Sequence, residues 1–430
     1  MISKGPFPGI SSGHIDLFEA FCWRNYQLVR QDGCLGLVLP RGAISGSGTV
    51  EWRKEVLTNG AFTDVCLLAN TKHWVFNDVH PQYNVALTTI SKSTSDVLSF
   101  TGPFHSAEEF ERGKDQLTTV KSSDFATWSS TYAFPWLPDA KSVEIFLALR
   151  RHPRFDSKEG FEFRPVQGDC NTTNNKRLWD FDLTNPIGDV LVYSGRTFNL
   201  WDPDFGDPYA FAHSDEVFPF LENKLINQRS NRRSAFYGLS DEALTPRPWQ
   251  RARIAFRDVA RATDTRTVIA CLIPPGVVLV EKAPYILPRL ANKIDEAFIL
   301  GILSSRIFDW YARRFVELKM SFELLNPMPI PRPPLDNALR HRVIEISGSL
   351  AAVDERFDEW ATEVGIAVGS VTDPSERTDL IAELDAVVAH LYQLSEDQLT
   401  HIFETFHRGW NYQARLETTL EYFRSWGRKL

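Results

Sequence analysis

Residues 247–270 read Arg247-Pro-Trp-Gln-Arg-Ala-Arg-Ile-Ala-Phe-Arg-Asp-Val-Ala-Arg-Ala-Thr-Asp-Thr-Arg-Thr-Val-Ile-Ala270. Arginines stand at 247, 251, 253, 257, 261 and 266, opposed only by Asp258 and Asp264. Arg251, Arg253 and Arg257 interleave with Ala252, Ile254 and Phe256, which predicts a strand with one apolar and one cationic face. A row of guanidinium groups on a firm element suits phosphate and guanine, because each planar fork meets two acceptors at once. The same pattern also describes a solvated surface laced with ion pairs.

The charge around this stretch is uneven. From residue 224 to 266 ten Lys/Arg face four Asp/Glu; from 335 to the end nine face seventeen. The chain as a whole carries −8 over 430 residues, so any attraction for nucleic acid must be local, within a screening length of roughly 10 Å. Hydrophobic content of 43% and charged content of 24% are those of a globular protein, and the length predicts two to four domains. No apolar run approaches the ~18 residues of a membrane helix, and the first residues lack the apolar core of a signal peptide. Cys22, Cys34, Cys66, Cys170 and Cys271 are widely spaced with no C-x-x-C pair. That argues against a metal site or disulfide framework and for a reducing, cytoplasmic setting.

Helices and strands alternate over residues 1–100. Asp16–Arg30 is predicted helical and is followed by an apolar strand at Leu35–Leu39. A second helix is expected over Glu51–Thr58, with strands at Phe62–Ala69 and Val85–Ile90. This order predicts an α/β layer with a mostly parallel sheet. Gly42, Gly46 and Gly48 follow the first strand at a spacing that matches no nucleotide fingerprint and reads as a plain turn. Residues 101–138 read as a connector, and 139–335 as an α+β domain opening on a helix at Ser142–Arg151. Residues 336–430 read as an acidic helical module, with Ser395 and Gln398 forming a capping box.

Several segments resemble the N6-adenine DNA methyltransferases of type II and type IIG restriction–modification systems. Gly13-His-Ile-Asp-Leu-Phe-Glu-Ala-Phe21, Asp32-Gly-Cys-Leu-Gly-Leu-Val-Leu-Pro40, Trp52-Arg53 and Trp74-Val-Phe76 are similar to the part of that family just after its catalytic Asn-Pro-Pro-Tyr motif. Val190-Leu-Val-Tyr-Ser-Gly-Arg-Thr-Phe198 resembles a segment of its specificity domain, matched at Tyr193, Gly195 and Arg196, with Ser194 where glutamate is usual. The arginine stretch resembles its Arg-x-Arg-x-x-Phe-Arg-Asp-x-Ala-x-x-Thr-Asn-x-Arg-Thr segment. Ile273-Pro-Pro-Gly276, Phe298-Ile-Leu-Gly-Ile-Leu-Ser-Ser-Arg-Ile-Phe-Asp-Trp310, Ile330-Pro-Arg-Pro-Pro334 and Asp385-Ala-Val-Val-Ala-His-Leu-Tyr-Gln-Leu-Ser395 follow in the family's order.

The resemblance implies a partial Rossmann-like methyltransferase sheet, a DNA-recognition domain and a helical tail. It implies that Phe76, with Trp74 beside it, stacks on an adenine flipped from the duplex. It also implies that Tyr193, Arg196, Arg247, Arg251, Arg253, Arg257, Arg261, Arg266 and Thr267 face double-stranded DNA. The chain departs from the family in having no Asn-Pro-Pro-Tyr and no cofactor loop. S-adenosylmethionine is therefore expected for the intact enzyme but not for this chain alone, and the missing half is expected on a partner, as from a split or truncated gene. Three strands of a parallel sheet cover neither their faces nor their edges alone, which argues the same way. A non-catalytic specificity subunit serving another effector is the alternative. A nuclease is a weaker reading of Asp309 with Glu317-Leu-Lys319, since those residues fall in or beside a helix.

Overall fold

The strand expected at residues 35–39 forms the outer strand of a five-stranded sheet in the computed structural model of the chain. The structure describes residues 7–8, 10, 16–81, 83–129, 131–260, 264–316, 319–406 and 409–429. Two compact units separate at Arg150/Arg151.

The first unit runs α1 (Leu17–Leu28), β1 (Cys34–Pro40), the single turn α2 (Gly42–Ser45), α3 (Val50–Asn59), β2 (Ala61–Leu68) and β3 (Val85–Ser91). It continues with β4 (Val97–Phe104), α4 (Ala107–Gly113), β5 (Thr118–Lys121), α5 (Ser122–Ala126) and α6 (Ala140–Leu149). The strand order is β1-β3-β2-β4-β5. Only β2 and β4 pair in parallel; the other three pairings are antiparallel. The expectation of a mostly parallel sheet is thus corrected. β1 and β2 run the same way, but β3 inserts between them in the opposite sense. The loop leaving β2 returns the chain directly, with no crossover helix.

Residues 101–138, read as a connector, instead hold half of β4, all of β5 and part of the core. Phe125 and Phe134 lie 4.4 Å apart, Phe62 meets Phe134 at 5.1 Å, and Trp128 meets Phe146 of α6 at 5.0 Å. α6 starts two residues before the helix predicted from Ser142: Asp139 caps it, its carboxylate accepting Ser142 N at 2.7 Å.

The second unit contains β6 (Glu162–Val166), β7 (Val190–Tyr193), β8 (Ala210–Ala212), α7 (Ser214–Ser230), β9 (Arg253–Phe256), β10 (Ala270–Ile273), β11 (Val278–Leu279) and β12 (Tyr285–Leu290). These strands form two small sheets, β10-β9-β12-β6 and β11-β7-β8. One core joins both sheets to α7 through Val192, Leu221, Ile273 and Leu279. Then follow α8 (Lys293–Ser304), α9 (Arg306–Arg313), α10 (Phe322–Leu325), α11 (Ala338–Ala351), α12 (Asp358–Val364), α13 (Pro374–Leu391), α14 (Glu396–Glu404) and α15 (Gln413–Gly427).

The helices after residue 335 belong to this same unit rather than standing apart. Gly301 is the reason α8 and α11 approach closely: a Cβ there would sit 2.5 Å from Val343 Cγ1. Ser395 and Gln398 make the predicted capping box on α14. The five cysteines are free, and no helix among the described residues is long and apolar enough to cross a membrane.

Candidate nucleic-acid interface

In the first unit the chain leaves β2 through residues 69–84. The side chain of Asn70, fully buried, organises this loop. Its Nδ2 donates to Phe76 O at 3.2 Å and Val79 O at 3.0 Å, while its Oδ1 accepts from Val75 N at 3.2 Å and Phe76 N at 3.0 Å. All four hydrogen-bonding positions of one amide are thereby used on one loop. Trp74 turns inward, donating Nε1–H to Ala69 O at 2.6 Å and packing on a cluster that includes Leu68, Val85 and Phe104. Trp74 is therefore an anchor and not a second stacking face. Phe76, held through its backbone, keeps 43% of its surface exposed. A braced loop with a solvent-facing phenyl ring suits stacking on a flat partner, because little backbone entropy remains to be lost.

The glycines after β1 do not form a nucleotide cradle. A Cβ at Gly48 would lie 2.1 Å from Glu19 Oε1, and one at Gly46 2.6 Å from Gly42 O. Arg53, fully buried, donates to Ala43 O at 2.9 Å and Gly46 O at 2.8 Å. Protein atoms fill the loop, so these residues do not fit S-adenosylmethionine. Burial, with Asp16 nearby, pushes the Glu19 carboxyl above its ordinary range, and its Oε2 has no hydrogen-bond partner among the described residues.

In the second unit the arginine stretch is largely internal. All four residues of β9 are buried, so Arg253, the middle arginine of the predicted cationic face, does not meet solvent. β9 lies between β10 and β12, and Arg253 points into the core. Its guanidinium donates to Asp169 Oδ1 at 2.9 Å and Oδ2 at 2.6 Å, and to Val277 O at 2.8 Å. Asp169 also accepts Leu279 N at 2.8 Å, and the guanidinium lies over the Tyr285 ring at 4.5 Å. A buried ion pair this well hydrogen-bonded holds sheet to sheet and does not reach DNA.

Arg266 ion-pairs with Asp309 at 3.0 Å, and Asp309, completely buried, accepts Thr267 N at 3.0 Å and Val268 N at 2.8 Å. Thr267 is 1% exposed. Asp309 is thus a structural anchor rather than a metal ligand; Glu317 lies outside the described residues. Among those residues no group of three or more His, Cys, Asp or Glu is placed to hold a metal ion. Tyr193 is buried, and its hydroxyl donates to Asp204. Arg247 is taken by Glu222 at 2.7 Å and Asp241 at 3.1 Å.

The candidates left with access to solvent are Arg196, exposed in the turn after β7, and the half-buried Arg251 and Arg257. Arg257 donates Nε–H to Phe198 O at 3.1 Å and stands 6.0 Å from the exposed Phe205 ring. Gly195 sits where a Cβ would meet Lys282 O at 2.7 Å, so its small size serves the approach of two turns, not of a ligand. Arg261 lies outside the described residues. Sequence reasoning missed Asn70 and Asp169, the two side chains that organise these regions. An Asn directly after a strand and before a loop was a usable signal for the first; nothing local marks the second.

No protein-family profile and no curated protein matches the chain. Among solved structures, the type IIG restriction endonuclease BpuSI matches at a TM-score of 0.34 and 11% identity, over 93% of this chain and 50% of that one. The type IIL restriction-modification enzyme MmeI in complex with DNA matches at a TM-score of 0.50 and 12% identity, over 98% of this chain and 54% of that one. The chain spans about half the length of these enzymes, and what it shares with MmeI is its fold.

Proposed function

We propose that this chain is the DNA-recognition portion of a restriction–modification adenine-N6 methyltransferase. The first unit supplies the rear of the methyltransferase sheet with Phe76 as the base-stacking residue; the second is the target-recognition domain. The observation that carries this reading is the loop braced by Asn70, which presents an exposed Phe76 at the end of β2. The fold likeness to MmeI, solved with DNA, supports it. Arg196, Arg251 and Arg257 are assigned to the DNA side.

The atoms that would hold the adenine amine and the cofactor are expected on a partner half. β1 supports that expectation: among the described residues it pairs only with β3, leaving one strand edge open. Beside it Val38 is 62% exposed, and Leu17, Phe21 and Leu28 of α1 are 74%, 57% and 65% exposed. An apolar edge of this kind calls for a cover.

The test is transfer of labelled methyl from S-adenosylmethionine into mixed-sequence duplex DNA. No transfer by the chain alone, with transfer on adding a polypeptide that carries the glycine loop and Asn-Pro-Pro-Tyr, is expected. Transfer by the chain alone overturns the division of labour. No transfer in either case, with DNA binding intact, moves the reading to a non-catalytic specificity subunit. Affinity for duplex should also fall steeply between about 50 and 200 mM salt.

A further inference from the structure

α7 carries a surface that the arginine stretch does not explain. Asn223 and Asn227, four residues apart on α7, are exposed, as is Asn231, which ends the helix and accepts Arg233 N at 3.0 Å on its Oδ1. They line a groove of about 380 Å³ along the C-terminal half of the helix, with Lys224 and Gln228. Lys224 fixes one wall, donating to Gly168 O at 3.3 Å and Asp169 O at 2.6 Å. Asparagine is a poor helix former, because its amide competes with the backbone for hydrogen bonds. Yet no hydrogen bond to another described residue uses the amides of Asn223 and Asn227, so their cost to the helix is not returned inside the fold. Ile226, one turn along from Asn223, is 59% exposed. Arg232 and Arg233, directly after the helix, are exposed as well.

We propose that the Asn223–Ile226–Asn227 face of α7 reads base edges in the major groove of duplex DNA, with Arg232 and Arg233 on the adjoining phosphates. The inference rests on the DNA-recognition reading above and names the residues that would supply sequence selection. A carboxamide pairs two-pronged with adenine through N7 and the N6 amine, and an aliphatic side chain meets a thymine methyl. Four residues of helix advance about 6 Å, close to two base-pair steps of roughly 3.4 Å. Asn223 and Asn227 therefore address pairs about two steps apart. The two arginines supply the sequence-independent attraction that the amides lack.

The test is selection of bound duplexes from a pool with a randomised centre, using the full chain, then N223A/N227A, then R232A/R233A. The wild type should enrich a site containing adenines. N223A/N227A should lose preference at one or two of them, with affinity for the wild-type site falling about 5- to 150-fold for each asparagine–adenine pair removed. Its affinity for mixed-sequence duplex should be unchanged, and its thermal unfolding should not fall, since both side chains are exposed and alanine is the better helix former. R232A/R233A should weaken binding to all sequences alike. An unchanged site with N223A/N227A overturns the assignment of α7 while leaving DNA recognition standing. Salt-dependent binding without enrichment by the wild type overturns it too. No binding by the wild type at all overturns the DNA-recognition reading itself.

Discussion

Two arginine-bearing stretches of the second unit lie close in sequence and face opposite ways. In 247–268 Arg253 and Arg266 are drawn inward onto Asp169 and Asp309. At 232–233 both arginines stay in solvent. By composition the first is the better DNA surface, yet its density of arginine reflects the need to cross-brace small sheets and helices. A guanidinium can be buried when a carboxylate and carbonyls meet its fork, and it remains charged there. Asp169 lies 84 residues before its partner, and Asp309 stands 42 residues after Thr267. No local pattern announces either. An arginine count therefore locates charge but does not decide whether the charge is structural or available.

The largest expected effect breaks the inner side of this comparison. Asp169→Ala leaves a buried guanidinium unpaired and should cost about 3–5 kcal/mol in chemical denaturation of the second unit. A paired replacement, D169L with R253M, should cost much less. A loss under about 1 kcal/mol for Asp169→Ala would mean that Arg253 finds solvent, and the two stretches would no longer differ.

The loop in the first unit offers the next effect. Asn70→Ala removes the brace and leaves part-buried Phe76 and Val75 backbone groups without their partner, at roughly 1 kcal/mol. Hydrogen exchange at the Val75 and Phe76 amides should accelerate, and unchanged protection there would show that the loop is held by other means.

Phe76→Ala sharpens the contrast from the exposed side. Stability should stay within about 0.5 kcal/mol. Binding of the reconstituted enzyme to duplex with a mispaired adenine should weaken by ~1–3 kcal/mol if the ring stacks on the base. Equal binding by variant and wild type removes Phe76 from the interface. Similarly, each phosphate that R232A/R233A no longer neutralises should reduce the slope of log affinity against log salt by about 0.9, with no change in melting.

The smallest effect concerns Glu19, a buried carboxyl whose Oε2 has no hydrogen-bond partner among the described residues. The folded pKa of Glu19 is raised by burial and by Asp16, so its contribution is fully present below the unfolded value of about 4.3 and is lost as pH rises through the folded value. Glu19→Gln should therefore leave melting unchanged near pH 4 and raise it near pH 7. Equal melting shifts at both pH values would mean that the carboxylate is solvated.

Much of the local structure was legible in the chain. The apolar run at 35–39, the helical spacing of Trp52 and Val56, and the Ser395–Gln398 cap all formed where periodicity and capping chemistry put them. Trp74-Val-Phe76 follows β2, in the order of strand and then aromatic segment expected from the sequence. Strand direction was not legible, because antiparallel insertion of β3 depends on how the 69–84 loop folds back on Asn70, and a pattern of alternating elements does not encode that.

The sequence by itself determined the element type over much of the chain, the charge asymmetry between the 224–266 region and the tail, and the presence of an aromatic segment after the second strand, since these depend on neighbours a few residues apart. Only the tertiary structure decided which arginines are interior, that Trp74 anchors while Phe76 projects, and that Glu19 fills the glycine turn. Each of those outcomes hinges on a partner distant in the chain, and the cost of burying a charge or an amide is met or left unmet only when that partner arrives.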